Sequence, residues 1–179
     1  MIICEIGMNH LGSGDYADKY IDSLVVSGAD AITFQIRENS YYERKERGHL
    51  SLPMDYYLRV MKKIKEKKLK FGVSISEITK VKDFNLEEVN FFKVLSKDIS
   101  DFHLLDEFIA TGKPLFVSTG TSDLETIEKT VNYLKDKGVT PSYSHFFNLR
   151  DRTSEPQGNK CFERKVLFTC CIRQSLKEP

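Results

Sequence analysis

Five short apolar runs, each separated from the next by a stretch with helical spacing, constrain this chain more than any other feature. The runs are Ile2–Ile6, Ala31–Gln35, Lys70–Ser74, Phe91–Leu95 and Leu115–Ser118. Their length and their β-branched and aromatic content predict strands. Between the first two, Ala17, Tyr20, Ile21, Leu24 and Val25 share one helical face, with Asp15 as the expected N-cap and Gly28 as the left-handed stop. Pro53 opens a second helix through Tyr57, Val60, Met61 and Ile64, whose lysine-rich outer face from Lys62 to Lys70 reads as solvated. A weaker helix is expected near Val81–Phe84, and another through Phe102, Leu105, Phe108 and Ile109 before Gly112. The fifth runs through Leu124, Ile127, Val131 and Leu134 to Gly138, with Ser122 and Glu125 placed as a capping box.

Strands joined through helices pair in parallel, because a parallel crossover needs a dozen or so residues. The expected class is therefore α/β. A (β/α)8 barrel takes about 250 residues, and the 179 residues here hold only five to six units. The expected fold is an incomplete, TIM-type partial barrel over residues 1–140, with an irregular tail over 141–179. An open doubly wound sheet is the alternative. In the tail, a polar stretch from Asn148 to Lys165 precedes the apolar run Val166–Ile172, which contains Cys170 and Cys171.

Charge narrows the partners. Lys and Arg number 27 against 26 Asp and Glu, a formal net charge of +1, so neither nucleic acid nor an anionic membrane surface is expected as a partner. The start, MIICEIGMNH, lacks the basic and apolar segments of a secretion signal, and no window reaches the length of a membrane span. Four cysteines without a C-x-x-C pair fit a reducing cytoplasm.

In parallel α/β architectures ligands bind beyond the C-terminal strand ends. Those positions are polar here. Glu5, Asn9 and His10 belong to the first strand and its loop; Lys93, Ser96 and Asp98 to the fourth; Ser118-Thr119-Gly120-Thr121 to the fifth. The last group offers hydroxyls and backbone N–H groups for a phosphate or carboxylate, although the same residues also make an ordinary strand-to-helix turn. Lys93 lies in an apolar run, where an unpaired ammonium is costly; it calls for an anionic ligand or a carboxylate partner. Glu5 calls for a donor or a metal by the same logic. His10 alone, and His49 and His103, carry little information.

Four ordered segments resemble the sialic acid (N-acetylneuraminate) synthase family. They are Glu5-Ile6-Gly7-Met8-Asn9-His10, Ser27-Gly28-Ala29-Asp30-Ala31-Ile32-Thr33-Phe34-Gln35, Phe91-Phe92-Lys93-Val94-Leu95-Ser96-Lys97-Asp98, and Thr111-Gly112-Lys113-Pro114 with Val117-Ser118-Thr119-Gly120. The resemblance covers roughly residues 1–138. It implies a (β/α)8 barrel followed by a small antifreeze-like domain, usually in a homodimer. The implied reaction is a Mn2+- or Mg2+-assisted condensation of phosphoenolpyruvate with an N-acetylmannosamine-like sugar. Glu5 and Lys93 are then the implied catalytic residues, and Asn9, His10, Gln35, Ser74, Ser96, Asp98, Ser118 and Gly120 the substrate-binding ones. His145 stands where a metal histidine would be. The chain also departs from the family pattern: Thr33 replaces a lysine, Ser74-Ile75-Ser76-Glu77 replaces S-T-P-F, Lys97 replaces a glycine, and Phe146 replaces a cysteine. A non-catalytic phosphate- or sugar-binding or assembly module is the alternative reading, and a different phosphate-handling enzyme a third.

Overall fold

The computed structural model describes residues 1–84 and 86–140, and the backbone of 142–146 and 167–171. Among the described residues seven parallel strands follow in chain order: β1 (Ile3–Gly7), β2 (Ala31–Ile36), β3 (Lys70–Ile75), β4 (Phe91–Val94), β5 (Leu115–Ser118), β6 (Ser142–Phe146) and β7 (Leu167–Cys171). Each pairs with the next and β7 pairs back on β1, closing the ring. The α/β TIM-type barrel expected from the sequence is the fold observed, partial in having seven strands among the described residues where a (β/α)8 barrel has eight, and the open doubly wound alternative is not. Two of the strands, β6 and β7, lie inside the stretch read as irregular. Their backbones pair through Ser144 with Leu167 and Phe146 with Thr169.

Helices cover the outside: α1 (Gly14–Val25), a short α2 (Asn39–Tyr42), α3 (Met54–Glu66), α4 (Phe102–Ala110) and α5 (Leu124–Asp136), with a 3-10 segment over Ile78–Asp83 after β3. Side chains alternate along a strand, so each strand has one face toward the helices and one toward the barrel axis. The outward set includes Ile6, Ile32, Phe34, Phe71, Val73, Phe92 and Val117, which form one cluster with Ile21 and Leu24 of α1, Tyr57, Val60 and Ile64 of α3, and Phe108 of α4. Phe34 packs edge-on to Tyr57 at 5.8 Å between ring centres, and Phe92 stacks on Phe108 at 4.9 Å. The lysine-rich face of α3 is solvated except at Lys63, whose Nζ reaches Asp22 and Asp18 of α1 at 2.9 and 3.5 Å.

The inward set forms layers. Ile3, Ala31, Phe91 and Phe116 make a separate apolar cluster at the N-terminal end of the barrel. Gly72 belongs to this layer by register, opposite Phe91. A Cβ at Gly72 would come within 2.2 Å of the Phe91 ring, so the glycine makes the room that the aromatic fills. One step toward the C-terminal ends, the inward positions turn polar: Glu5, Thr33, Ser74, Lys93 and Ser118, all buried.

Two helix starts differ from expectation. Ser13, rather than Asp15, caps α1 by accepting from the Tyr16 amide. Asp123, rather than Ser122, caps α5, accepting from the Thr126 amide at 2.7 Å. The Ser122 hydroxyl instead donates to the Ser96 carbonyl at 2.9 Å, tying the β5 loop to the β4 loop.

Candidate functional site

Strands β1 and β4 are not neighbours in the sheet, yet Lys93 Nζ lies 2.6 Å from Glu5 Oε2. This contact therefore crosses the barrel interior. The Glu5 and Lys93 side chains are 2% and 1% exposed. An ammonium and a carboxylate can persist at such burial only by neutralising each other and finding further hydrogen bonds. Glu5 finds one from the neighbouring strand: Gln35 Nε2 donates to Oε1 at 2.6 Å. Both carboxylate oxygens are thus engaged, one by an ammonium and one by an amide.

Local backbone geometry aims this group. The β1–β2 register shifts between Glu5 and Gly7, a bulge in which Glu5 pairs with Thr33 but Gly7 with Phe34. Gly7 has φ +56°, and a Cβ there would touch Glu5 Cγ and Gln35 Cδ at 3.5 and 3.7 Å. A bulge that re-aims one side chain beside a site is a recurrent device. Thr33, beside Glu5 in register, and Ser74, beside Gln35, each bury a hydroxyl with no hydrogen-bond partner among the described residues. Unsatisfied buried hydroxyls are uncommon and are explained most simply by a ligand or water that they are built to meet. Ser118 is buried at the end of β5.

The remaining expected site residues lie above or beside this layer. Ser96 accepts from the Thr121 hydroxyl at 2.8 Å, and Asp98 accepts from the Ser76 hydroxyl at 2.7 Å and from Lys97. Gly120 is exposed on the same rim. Asn9 folds back to donate to the Ile6 carbonyl at 3.0 Å. His10 is fully buried beside Phe34, at 6.3 Å between ring centres, where Phe34 belongs to the outer, helix-facing core. Its Nδ1 accepts from the Gly12 amide, and burial depresses its pKa to about 4, so the ring is neutral at neutral pH. The side chain of His145 lies outside the described residues; its backbone sits in β6, paired with Phe168.

Sequence reading did not anticipate the rim of charge that joins β2, β3 and β4. Arg37 donates to both carboxylate oxygens of Glu38 at 3.1 Å, Lys97 Nζ lies 3.2 Å from Glu38, and Lys97 also binds Asp98, which Ser76 holds in turn. Burial works against the ionised form of Glu38, but the bonds from Arg37 and Lys97 outweigh it and hold the group at about 2. The positive charge of Lys97 is therefore taken up by Glu38 and Asp98. The only hint in the sequence was the density of charge just past the strand ends.

Among the described residues, no three His, Cys, Asp or Glu side chains come together as metal ligands. Glu5, the buried carboxylate best placed for one, is committed to Lys93 and Gln35. These residues do not fit a metal centre by themselves. No described helix is long and apolar enough to cross a membrane.

A parallel (β/α) barrel with a charged pair buried in a polar lumen beyond an apolar plug is a barrel of the TIM type, an architecture in which ligands bind at the C-terminal strand ends. Residues 19–143 match the NeuB family, and the chain belongs to that family. It is 32% identical over 149 residues to an uncharacterised protein of Methanocaldococcus jannaschii, covering 76% of this chain and 42% of that one. Against N-acetylneuraminate-9-phosphate synthase of Homo sapiens, identity is 28% over 153 residues, covering 75% and 43%. The crystal structure of N-acetylneuraminic acid synthetase from Leptospira borgpetersenii, in complex with citrate, superposes with a TM-score of 0.74 at 25% identity, over 82% of this chain and 54% of that one. The chain spans less than half the length of these two curated relatives.

Proposed function

We propose that the polar layer of the lumen binds the anionic end of phosphoenolpyruvate, and that the activity to which this barrel contributes is condensation with an N-acetylmannosamine-like sugar. The observation that carries the reading is the Lys93–Glu5–Gln35 group, buried in the lumen beside the unpartnered hydroxyls of Thr33 and Ser74. Lys93 supplies positive charge to the phosphoryl group where little water competes, so each contact is worth more than in bulk solvent. Thr33 and Ser74 supply O–H donors. Glu5, fixed by Gln35, stands where it can accept or return a proton at a reacting hydroxyl or carbon. In the proposed reaction the methylene carbon of the enol attacks the sugar aldehyde, and water adds at the carbon bearing the phosphoryl oxygen. Collapse of that adduct breaks the C–O bond, leaving a 2-keto acid and inorganic phosphate.

Asn9, His10, Ser96, Asp98, Ser118 and Gly120 remain proposed substrate-side residues on this reading. His145 is the proposed contribution to a divalent-metal site, whose other ligands would lie outside the described residues. A cytoplasmic setting and a homodimer belong to the same proposal. The test is phosphate release from phosphoenolpyruvate and N-acetylmannosamine with Mn2+ present, comparing the chain with Lys93→Ala. Lysine-dependent release is expected.

One observation favours a second reading, a binding module without turnover. Thr33 occupies the place where the resemblance expects a lysine, and the described lumen charges, Lys93 and Glu5, cancel. Phosphoenolpyruvate binding without phosphate release would select that reading; neither binding nor release would remove both.

A further inference from the structure

We infer that Glu5 makes the lumen selective for oxyanions that still carry a proton, such as hydrogen phosphate or a singly protonated phosphoryl group, and against fully ionised ones such as sulfate. The inference rests on the reading of the lumen as an anion site, and adds to it a rule of selection: phosphoenolpyruvate is taken there with its phosphoryl group singly protonated. Among the described residues Lys93 is the cation of the polar layer, and any oxyanion it binds must sit beside the carboxylate 2.6 Å from its Nζ. That carboxylate has little freedom to withdraw. Its other oxygen is held by Gln35 at 2.6 Å, and a side chain at Gly7 would meet the same two side chains.

An oxyanion without protons offers only acceptor oxygens, so next to Glu5 it meets like charge and no donor in a water-poor interior. A protonated oxyanion turns the same contact into a charge-assisted O–H···O⁻ hydrogen bond to Glu5, while its other oxygens accept from Lys93. The unpartnered hydroxyls of Thr33 and Ser74 can donate to those oxygens as well, and they serve both kinds of anion alike. The discrimination therefore falls on Glu5 and the affinity on Lys93 and the hydroxyls.

The experiment is calorimetric titration of the chain with inorganic phosphate, sulfate and monofluorophosphate at about pH 7 and matched ionic strength, where only phosphate keeps a proton. Phosphate is expected to bind at least about tenfold more tightly than either of the others, the margin that one charge-assisted hydrogen bond against one repulsive contact supplies. Glu5→Gln should bring the ratio close to one, chiefly by improving sulfate binding. Thr33→Val should weaken all three anions and leave the ratio unchanged. Circular dichroism melts establish that each variant is folded, and the three-anion comparison on the unmodified chain needs no variant. Equal affinities in the unmodified chain, or an unchanged ratio in folded Glu5→Gln, overturn the inference while leaving the anion site standing. Failure of all three anions to bind overturns both.

Discussion

Lys93 and Glu5 are each nearly inaccessible to water and lie 2.6 Å apart, so removing either one strands the other's charge. Lys93→Met is expected to cost about 3–5 kcal/mol in urea unfolding, because it leaves an uncompensated buried carboxylate. The double variant Glu5→Gln/Lys93→Met should recover most of that loss, and strictly additive losses would show that the pair is not coupled. His10 gives a pH signature of its own. Its folded-state pKa of about 4 lies below the value of 6.5 for an unperturbed histidine. Between those values the unfolded chain binds a proton that the folded chain does not, so stability falls as pH drops through this window and levels off below it. The loss is on the order of 3 kcal/mol, from the size of the shift at 1.36 kcal/mol per pKa unit. His10→Phe should remove that component from a stability-against-pH series; an unchanged slope would place the titration elsewhere. The sequence showed that Lys93 and Glu5 each needed a partner, because charge in an apolar run is costly. That each would satisfy the other, across 88 positions of chain, could not be read from spacing.

At the scale of elements, the five strands and the main helices were legible from hydrophobic period alone, and most differences fall at the ends. Cap choice is the clearest case. Ser122 and Glu125 have the spacing of a capping box, but Asp123 is one residue closer to the helix and offers an ionised acceptor, and it is Asp123 that bonds the Thr126 amide. Asp123→Ala is expected to lower the thermal midpoint, because the Thr126 amide loses its N-cap acceptor. Ser122→Ala should act differently, loosening the β4 and β5 loops through the lost bond to the Ser96 carbonyl. Amide hydrogen exchange can separate the two, with faster exchange in the first turn of α5 for Asp123→Ala and around Ser96 for Ser122→Ala. Faster exchange of the α5 first turn in Ser122→Ala would restore the capping-box reading. The bulge at Glu5–Gly7 was not legible, because nothing in Ile3-Cys4-Glu5-Ile6-Gly7 distinguishes a bulged strand from a regular one ending at a glycine.

For the whole molecule, closure of the ring is the property with the most consequences. β6 covers the free edge of β5, and β7 covers that of β1 through Ile3–Thr169, Cys4–Cys170 and Glu5–Cys171. A chain ending at residue 140 would bare both edges, and unpaired parallel edges recruit other chains. Light scattering should find that shortened chain in larger assemblies than the full chain forms; a shortened chain no more associated than the full one would mean that β6 and β7 do not protect those edges. The sequence by itself determined the α/β class, the five strand positions, the outer apolar faces of the helices and the residue types of the lumen. Those follow from local period, and period is a property of neighbours in the chain. Tertiary structure alone decided which inward residues meet: the register shift that turns Glu5 toward Gln35, the crossing of the lumen by Lys93, the rim that consumes Lys97, and the two hydroxyls left unpartnered among the described residues. Closing a sheet brings strands far apart in sequence to one axis, and which side chains share a layer depends on a stagger set by every strand pair together.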